Sequence, residues 1–255
     1  MNACESHVEM NRRHFSASAA GYDFDRGQIN VRLYRAKYAL RQLAKHGVVK
    51  DMKVLDVGCS EGLALRTMAP YIREGIGIDI APLPIMLAKE RALLGGLANL
   101  SFQECAAEQL EDHDFDAAVC FETIEHVPDP VDFLQAIRVC LRPAGVLVLS
   151  TPNYSRLLNR LIRLRGKSPQ VCDPTHFREY TAPELAAIAT DAGFRVQRQS
   201  GMMLFDSSLM YYLLRRCMPP KPLKSMMESA ISIHLGRFLK SLAFVQLMVA
   251  VKDAT

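Results

Sequence analysis

Two acids and two glycines stand at a spacing that could grip a ligand. In KVLDVGCSEG, residues 53–62, an apolar run of strand length reaches Asp56, and Gly58 and Gly62 then bracket a loop that also carries Cys59. Asp79 ends the next apolar run, 17 residues after Gly62. Glycine permits a tight turn and lets a ligand lie against bare backbone, while a carboxylate at a strand tip can accept hydrogen bonds from both hydroxyls of a ribose. The implied ligand contains a nucleoside. A nicotinamide dinucleotide fits poorly: its pyrophosphate needs a G-x-G-x-x-G turn, and Ser60 stands where the middle glycine would be.

A second constellation lies further on, in ETIEHVPDP, residues 122–130. His126 is the first candidate base, since an imidazole titrates close to working pH; a loop histidine held by backbone groups is the structural alternative. His176, in CDPTHFREYT, is the second candidate base, or else a buried hydrogen-bonding residue. Glu122, Glu125 and His126 could converge on a divalent ion, but no metal is expected, and the two acids are expected to be a solvated or hydrogen-bonded pair on one turn. Arg178 and Glu179, adjacent in sequence, read as a surface pair.

These residues need a scaffold, and the chain supplies one by alternating strand-length apolar runs with segments of helical period. The strands expected are 53–57, 75–80, 100–105, 115–121 and 145–150, followed by 194–203 and 245–252. Helices are expected over 29–46, 63–71, 83–94 and 131–141, the last stopped by Arg142-Pro143-Ala144-Gly145. Thr181-Ala182-Pro183-Glu184 reads as the capped start of another helix. This is an α/β doubly wound pattern, in which ligands bind at the carboxyl ends of the strands.

Composition closes off other classes. With 255 residues, 49% of them hydrophobic, the chain reads as one domain: an amino-terminal lid and helix (1–48), a ligand-binding core (49–153) and an acceptor-side region (154–255). Seven scattered cysteines without a C-x-x-C pair argue against a disulfide framework or zinc site and for a cytoplasmic chain. No secretory h-region and no run of about 18 apolar residues is visible. A net charge of +4 is too weak to imply nucleic acid.

Five motifs in order, VLDVGCSEG, GIGIDI (75–80), FQECAAEQL (102–110), FDAAVCFETIEHVPDP (115–130) and LRPAGVLVLSTPN (141–153), resemble those of the class I S-adenosylmethionine-dependent methyltransferases. The resemblance spans residues 15–205, and its EHVPDP stretch is similar to that of the quinone-biosynthesis O-methyltransferases. It implies a Rossmann-like, seven-stranded, mostly parallel sheet with helices on both faces, an antiparallel last strand, and S-adenosylmethionine as cofactor. It further implies Gly58 and Gly62 beside the methionine portion, with Asp56 and Cys59 in the same loop, and Asp79 on the ribose. Ile80 and Phe121 would meet the adenosine, and the backbone at Ala106 and Ala107 the adenine edge. The family commonly carries Asp near Ala106, so Glu108 or a backbone group would take that contact. HFSASAAGYD (14–23) resembles the family's segment that folds over the cofactor, with Phe15 and Tyr22 closing it.

The acceptor implied is a small molecule, lipid or glycan, methylated at oxygen. No N-P-P-Y-type motif follows the fourth strand, which argues against nucleic-acid methylation. RLLNRLIRLRGK, residues 156–167, has five cations and no acid, and residues 207–252 have seven cations against Glu228 alone in a helical insertion before the last strand. Basic amphipathic segments of this kind can touch an anionic membrane surface, here the inner one; a helical cap with a solvated face is the plainer alternative. A non-catalytic nucleoside-binding or scaffold protein of the same fold is the alternative to an enzyme.

Overall fold

The computed structural model describes residues 9, 11–13, 15, 26–169, 171–173, 175–204, 209 and 230–253, with the side chains of 26–29, 230 and 231 outside the description. Strands β1 (Lys53–Val57), β2 (Glu74–Asp79), β3 (Leu100–Glu104), β4 (Phe115–Phe121), β5 (Leu141–Pro152), β6 (Phe194–Met202) and β7 (Val245–Lys252) form one sheet in the order β3-β2-β1-β4-β5-β7-β6. β1 to β5 pair in parallel, and β7 runs antiparallel to both β5 and β6, as expected. The helices are α1 (Arg26–Leu43), α2 (Leu63–Met68), α3 (Pro82–Leu94), α4 (Pro130–Cys140), α5 (Leu157–Leu164), α6 (Ala182–Asp191) and α7 (Ala230–Phe238).

Side-chain alternation divides the core into two layers. Val54, Val146, Val148, Val249 and Val251 pack on the face covered by α1, α2 and α3, while Leu55, Val57, Leu147, Leu149 and Met248 pack on the face covered by α4 and α6. Asp56 interrupts the apolar first strand on the α1 side, and its side chain is buried there.

Local chemistry sets the helix ends. Asp129 caps α4 by accepting from the N–H groups of Val131 and Asp132, both at 3.1 Å. Thr181 and Glu184 form the anticipated capping box at α6, the Glu184 carboxylate accepting from Thr181 N–H at 2.8 Å. One boundary differs from expectation. The Arg-Pro-Ala-Gly turn does not separate α4 from β5; it bulges within the strand. Leu141 pairs with Phe115 and Val146 with Ala117, so residues 142–145 loop out, with Ala144 at φ 61°.

The segment 154–180 is fastened to the tip of β5 and to the antiparallel strand. Asn153 bridges Tyr180, and the Gln246 amide donates to the Tyr180 carbonyl at 2.7 Å. Along α5 and the residues flanking it, Leu164 is 83% exposed and Arg160, Arg163, Arg165 and Lys167 face outward, but Arg156 turns into the interior. The expected basic face therefore has four of its five cations. Residues 14, 16–25, 205–208 and 210–229 lie outside the described residues, and with them four of the seven cations of the carboxy-terminal basic segment and all of the expected lid but Phe15.

Candidate active site at the carboxyl ends of the strands

At the tips of β1, β2 and β4 the chain leaves a cavity of about 840 Å³, near the upper end of the roughly 300–1,000 Å³ usual for ligand sites. Asp56, Gly58, Cys59, Asp79, Ile80, Ala106, Ala107 and Phe121 all line it, as do His126, His176 and Phe15. Gly62 does not.

The first wall is a backbone device. Gly58 and Cys59 both donate from their N–H groups to the Ile78 carbonyl at 2.9 Å, tying the loop to β2. Gly58 sits at φ +73°, and a Cβ there would fall 2.3 Å from the Thr123 hydroxyl, so both conformation and space demand glycine. Gly62, at φ +75°, starts α2 and packs its bare Cα against the Phe102 ring, 2.8 Å from an ideal Cβ. Its work is helix-to-sheet packing. Asp79 anchors the loop from the other side: one carboxylate oxygen accepts from Ser60 N–H and the other from Ala81 N–H, each at 2.9 Å. Each oxygen keeps a lone pair for a further donor. Burial raises the Asp79 pKa, opposed by those N–H groups.

Asp56 lies beneath this loop with its Oδ2 lacking a hydrogen-bond partner, and burial, reinforced by the Asp79 charge, pushes its pKa up to about 7. Burial also works to raise Glu61, but the Arg32 guanidinium, 2.7 Å away, and the Ser60 hydroxyl bring it below the usual range. Arg35, one helical turn further along α1, pairs with Glu122 at 3.1 Å. Neither arginine was singled out in the sequence, although their i, i+3 spacing puts both on one face of α1.

The second wall joins two distant segments. Glu125 is fully buried, accepts from the Thr151 hydroxyl at 2.8 Å through one oxygen, and has no partner at the other. Burial and then the Glu122 charge hold its pKa well above the carboxylate range. Its carbonyl accepts from Phe177 N–H at 2.8 Å, which pins the loop carrying His176 to the loop carrying His126. The two imidazoles meet edge to face with centroids 4.7 Å apart, and Phe15 lies edge-on to His126 at 5.1 Å. His126 Nδ1 is 3.2 Å from the Thr175 carbonyl, which can only accept, so Nδ1 carries the proton.

Glu179 corrects the sequence reading. It is not paired with its neighbour Arg178, which reaches out to Glu184 at 2.6 Å; it is buried and bonded to Arg156 and His176. Among the described residues, ligating atoms of Glu125, His126 and His176, and of Cys172, His176 and Glu179, lie within 4.8 Å of one another. Bonds between protein groups account for His176, Glu179 and one oxygen of Glu125, and we assign these clusters no ligand role.

Residues 10–199 match the methyltransferase domain family. The chain belongs to that family. Among curated relatives, the ubiquinone biosynthesis O-methyltransferase of Xanthomonas axonopodis pv. citri is 33% identical over 177 residues, covering 66% of this chain and 72% of that protein. The enzyme of the same name from Leptothrix cholodnii is 37% identical over 174 residues, covering 66% and 74%. In fold, the chain resembles magnesium protoporphyrin IX methyltransferase from Synechocystis PCC 6803 with bound S-adenosylhomocysteine, at a TM-score of 0.64 and 16% identity over 97% of this chain and 100% of that one.

This methyltransferase is thus an S-adenosylmethionine-dependent enzyme. The site suits that cofactor: Asp79 retains acceptor capacity at the cavity wall, and Asp56 presents a buried oxygen without a partner. When bound, the cofactor supplies an electrophilic methyl group on a sulfonium. The protein's part is to align the acceptor, exclude water and take up a proton. No nucleophile is needed, consistent with a Cys59 thiol whose pKa burial raises well above its ordinary value. No helix among the described residues is long and apolar enough to cross a membrane.

Proposed function

We propose that this enzyme methylates a hydroxyl oxygen of a small aromatic acceptor bearing an apolar chain. The observation that carries this reading is that one cavity joins the Asp56–Gly58–Asp79 wall to two imidazoles, with Phe15, Leu87, Phe121, Phe133 and Phe244 also lining it. The apolar lining favours an aromatic ring, and a hydroxyl, a weak nucleophile while it keeps its proton, is served by a base beside it. Relatives named as O-methyltransferases of ubiquinone biosynthesis support both points.

In this reading Asp79 holds the ribose, Ile80, Phe121 and the backbone at Ala106 and Ala107 surround the adenosine, and the loop at Gly58 and Cys59 faces the methionine portion. Gly62 shapes that loop from behind. The four outward cations of α5 and the residues just after it would let the enzyme collect a lipidic acceptor from an anionic bilayer surface.

The test is methyl transfer from labelled S-adenosylmethionine to a 1,2-dihydroxybenzene carrying an alkyl chain. Transfer to oxygen is expected; transfer only to amine acceptors overturns the reading. For the surface contact, vesicles of anionic lipid should co-sediment the protein, and Arg160→Glu with Arg163→Glu should abolish this. Equal sedimentation of the charge-reversed protein would remove the membrane step.

A further inference from the structure

Resting on the oxygen-acceptor reading, we infer that His176 is the base that removes the acceptor's hydroxyl proton, and that Glu179, held by Arg156, is the residue that positions it. The two histidines of the cavity are not equivalent. His126 turns Nδ1 to a backbone carbonyl at 3.2 Å, a contact that fixes the peptide leading into His176. The Thr175 hydroxyl, 3.4 Å from that nitrogen, gives its own proton to Asp173 at 2.6 Å, so His126 Nδ1–H serves as a donor to this loop. His176 instead turns Nδ1 to a carboxylate, Glu179 Oε1, at 3.1 Å.

Glu179 is built to remain ionised in the interior. Its side chain is fully buried, yet its oxygens receive the Arg156 guanidinium, the Cys172 N–H and the His176 ring. Burial alone would raise its pKa; the His176 bond and the Arg156 charge outweigh this and lower it to about 2. An ionised carboxylate only accepts, so the proton of the neutral His176 ring lies on Nδ1 and the lone pair on Nε2. The ring borders the cavity, with 6% of its side-chain surface exposed, so its rotamer is fixed before an acceptor arrives. Arg156 is itself fixed by a second bond to the Asn153 carbonyl at 3.3 Å, linking the device to the end of β5.

The acceptor O–H bond breaks and its proton passes to His176 Nε2, while the electron pair left on oxygen forms the new bond to the methyl carbon. The electron pair of the broken carbon–sulfur bond stays on sulfur, and His176 returns the proton to solvent. The charged and titratable groups around the ring are His126, Glu125, Asp173, Cys172 and Glu179, with Arg156 behind Glu179.

The experiment compares wild type, His176→Asn, Glu179→Gln and Glu179→Asp on the alkylated 1,2-dihydroxybenzene, with calorimetry of S-adenosylhomocysteine as the check on folding. His176→Asn should lower kcat at neutral pH by about 10²–10⁴-fold. The deficit should shrink as pH approaches the acceptor's own ionisation, near the ~10 of a phenol. Glu179→Gln should lower kcat by about 10–100-fold with acceptor KM unchanged, and Glu179→Asp should regain part of that. Independently of turnover, nitrogen chemical shifts of labelled histidine should show the Nδ1–H tautomer at His176.

Wild-type kcat in a His176→Asn protein that binds S-adenosylhomocysteine normally overturns the inference and leaves the oxygen-acceptor reading intact. So does an Nε2–H tautomer at His176. Absence of oxygen transfer by the wild type overturns the reading and the role given to His176 with it.

Discussion

The two walls of the cavity are built by opposite strategies. The wall proposed to hold the cofactor is local: Gly58, Ser60 and Asp79 sit on neighbouring strand tips, and its bonds run through backbone N–H groups to one carbonyl and one carboxylate. The wall proposed to face the acceptor is assembled from afar. It brings the loop after β4 against the loop before α6, about 50 residues on, and its rigidity rests on buried ionised side chains, Arg156 and Glu179 above all. The first wall allows no side chain at Gly58, and the second allows no buried charge to lose its partner.

Breaking one partner of the buried pair should therefore give the largest effect. Arg156→Ala leaves the Glu179 charge uncompensated and should destabilise the fold by about 3–5 kcal/mol in denaturant titrations. Next comes the acid beneath the cofactor wall. The pKa of Asp56 is raised from 3.8 to about 7 in the folded protein, so the native state holds a proton that the unfolded chain has lost. Its contribution to stability is complete below about pH 4 and disappears as pH climbs through 7, a span of about 4 kcal/mol. Asp56→Asn should flatten that part of the melting-temperature profile.

Asp79→Ala removes the acceptor for Ser60 and Ala81 N–H and, with it, the ribose contact proposed for this residue. Binding of both S-adenosylmethionine and S-adenosylhomocysteine should weaken by about 10²-fold in calorimetry, with less change in stability than at Arg156. The smallest effect should come from Arg178→Ala. That residue makes an ion pair with Glu184 in which both side chains are well exposed, so the change should be about 0.5 kcal/mol or less. A large loss there would show that the acceptor wall depends on its surface as well as its interior.

The contrast between the walls also explains what could be read in advance. Glycine spacing and strand-tip acids are local signals, since a residue at φ +73° or a carboxylate ending an apolar run announces its backbone context. Hence Asp56, Gly58 and Asp79 were legible, as were the seven strands and the capped start of α6. Gly62 was expected beside the cofactor, but it lies outside the cavity lining and packs against the Phe102 ring, a partner the sequence did not reveal. The bulge at residues 142–145 escaped because Pro and Gly signal a turn without saying whether the strand has already begun. Arg32 and Arg35 escaped because charges on an amphipathic helix read as solvated until something is known to lie opposite them.

What the sequence by itself determined was the order of elements, the glycine loop after the first strand, and the presence of two imidazoles after the fourth and fifth strands. These follow from periodicity and backbone chemistry, which act over a few residues. Only the tertiary structure decided which cation of RLLNRLIRLRGK turns inward, and which of the adjacent residues Arg178 and Glu179 becomes part of the interior. Burial, not adjacency, selects partners for charged groups, because a charge removed from water must find an opposite one wherever the fold supplies it.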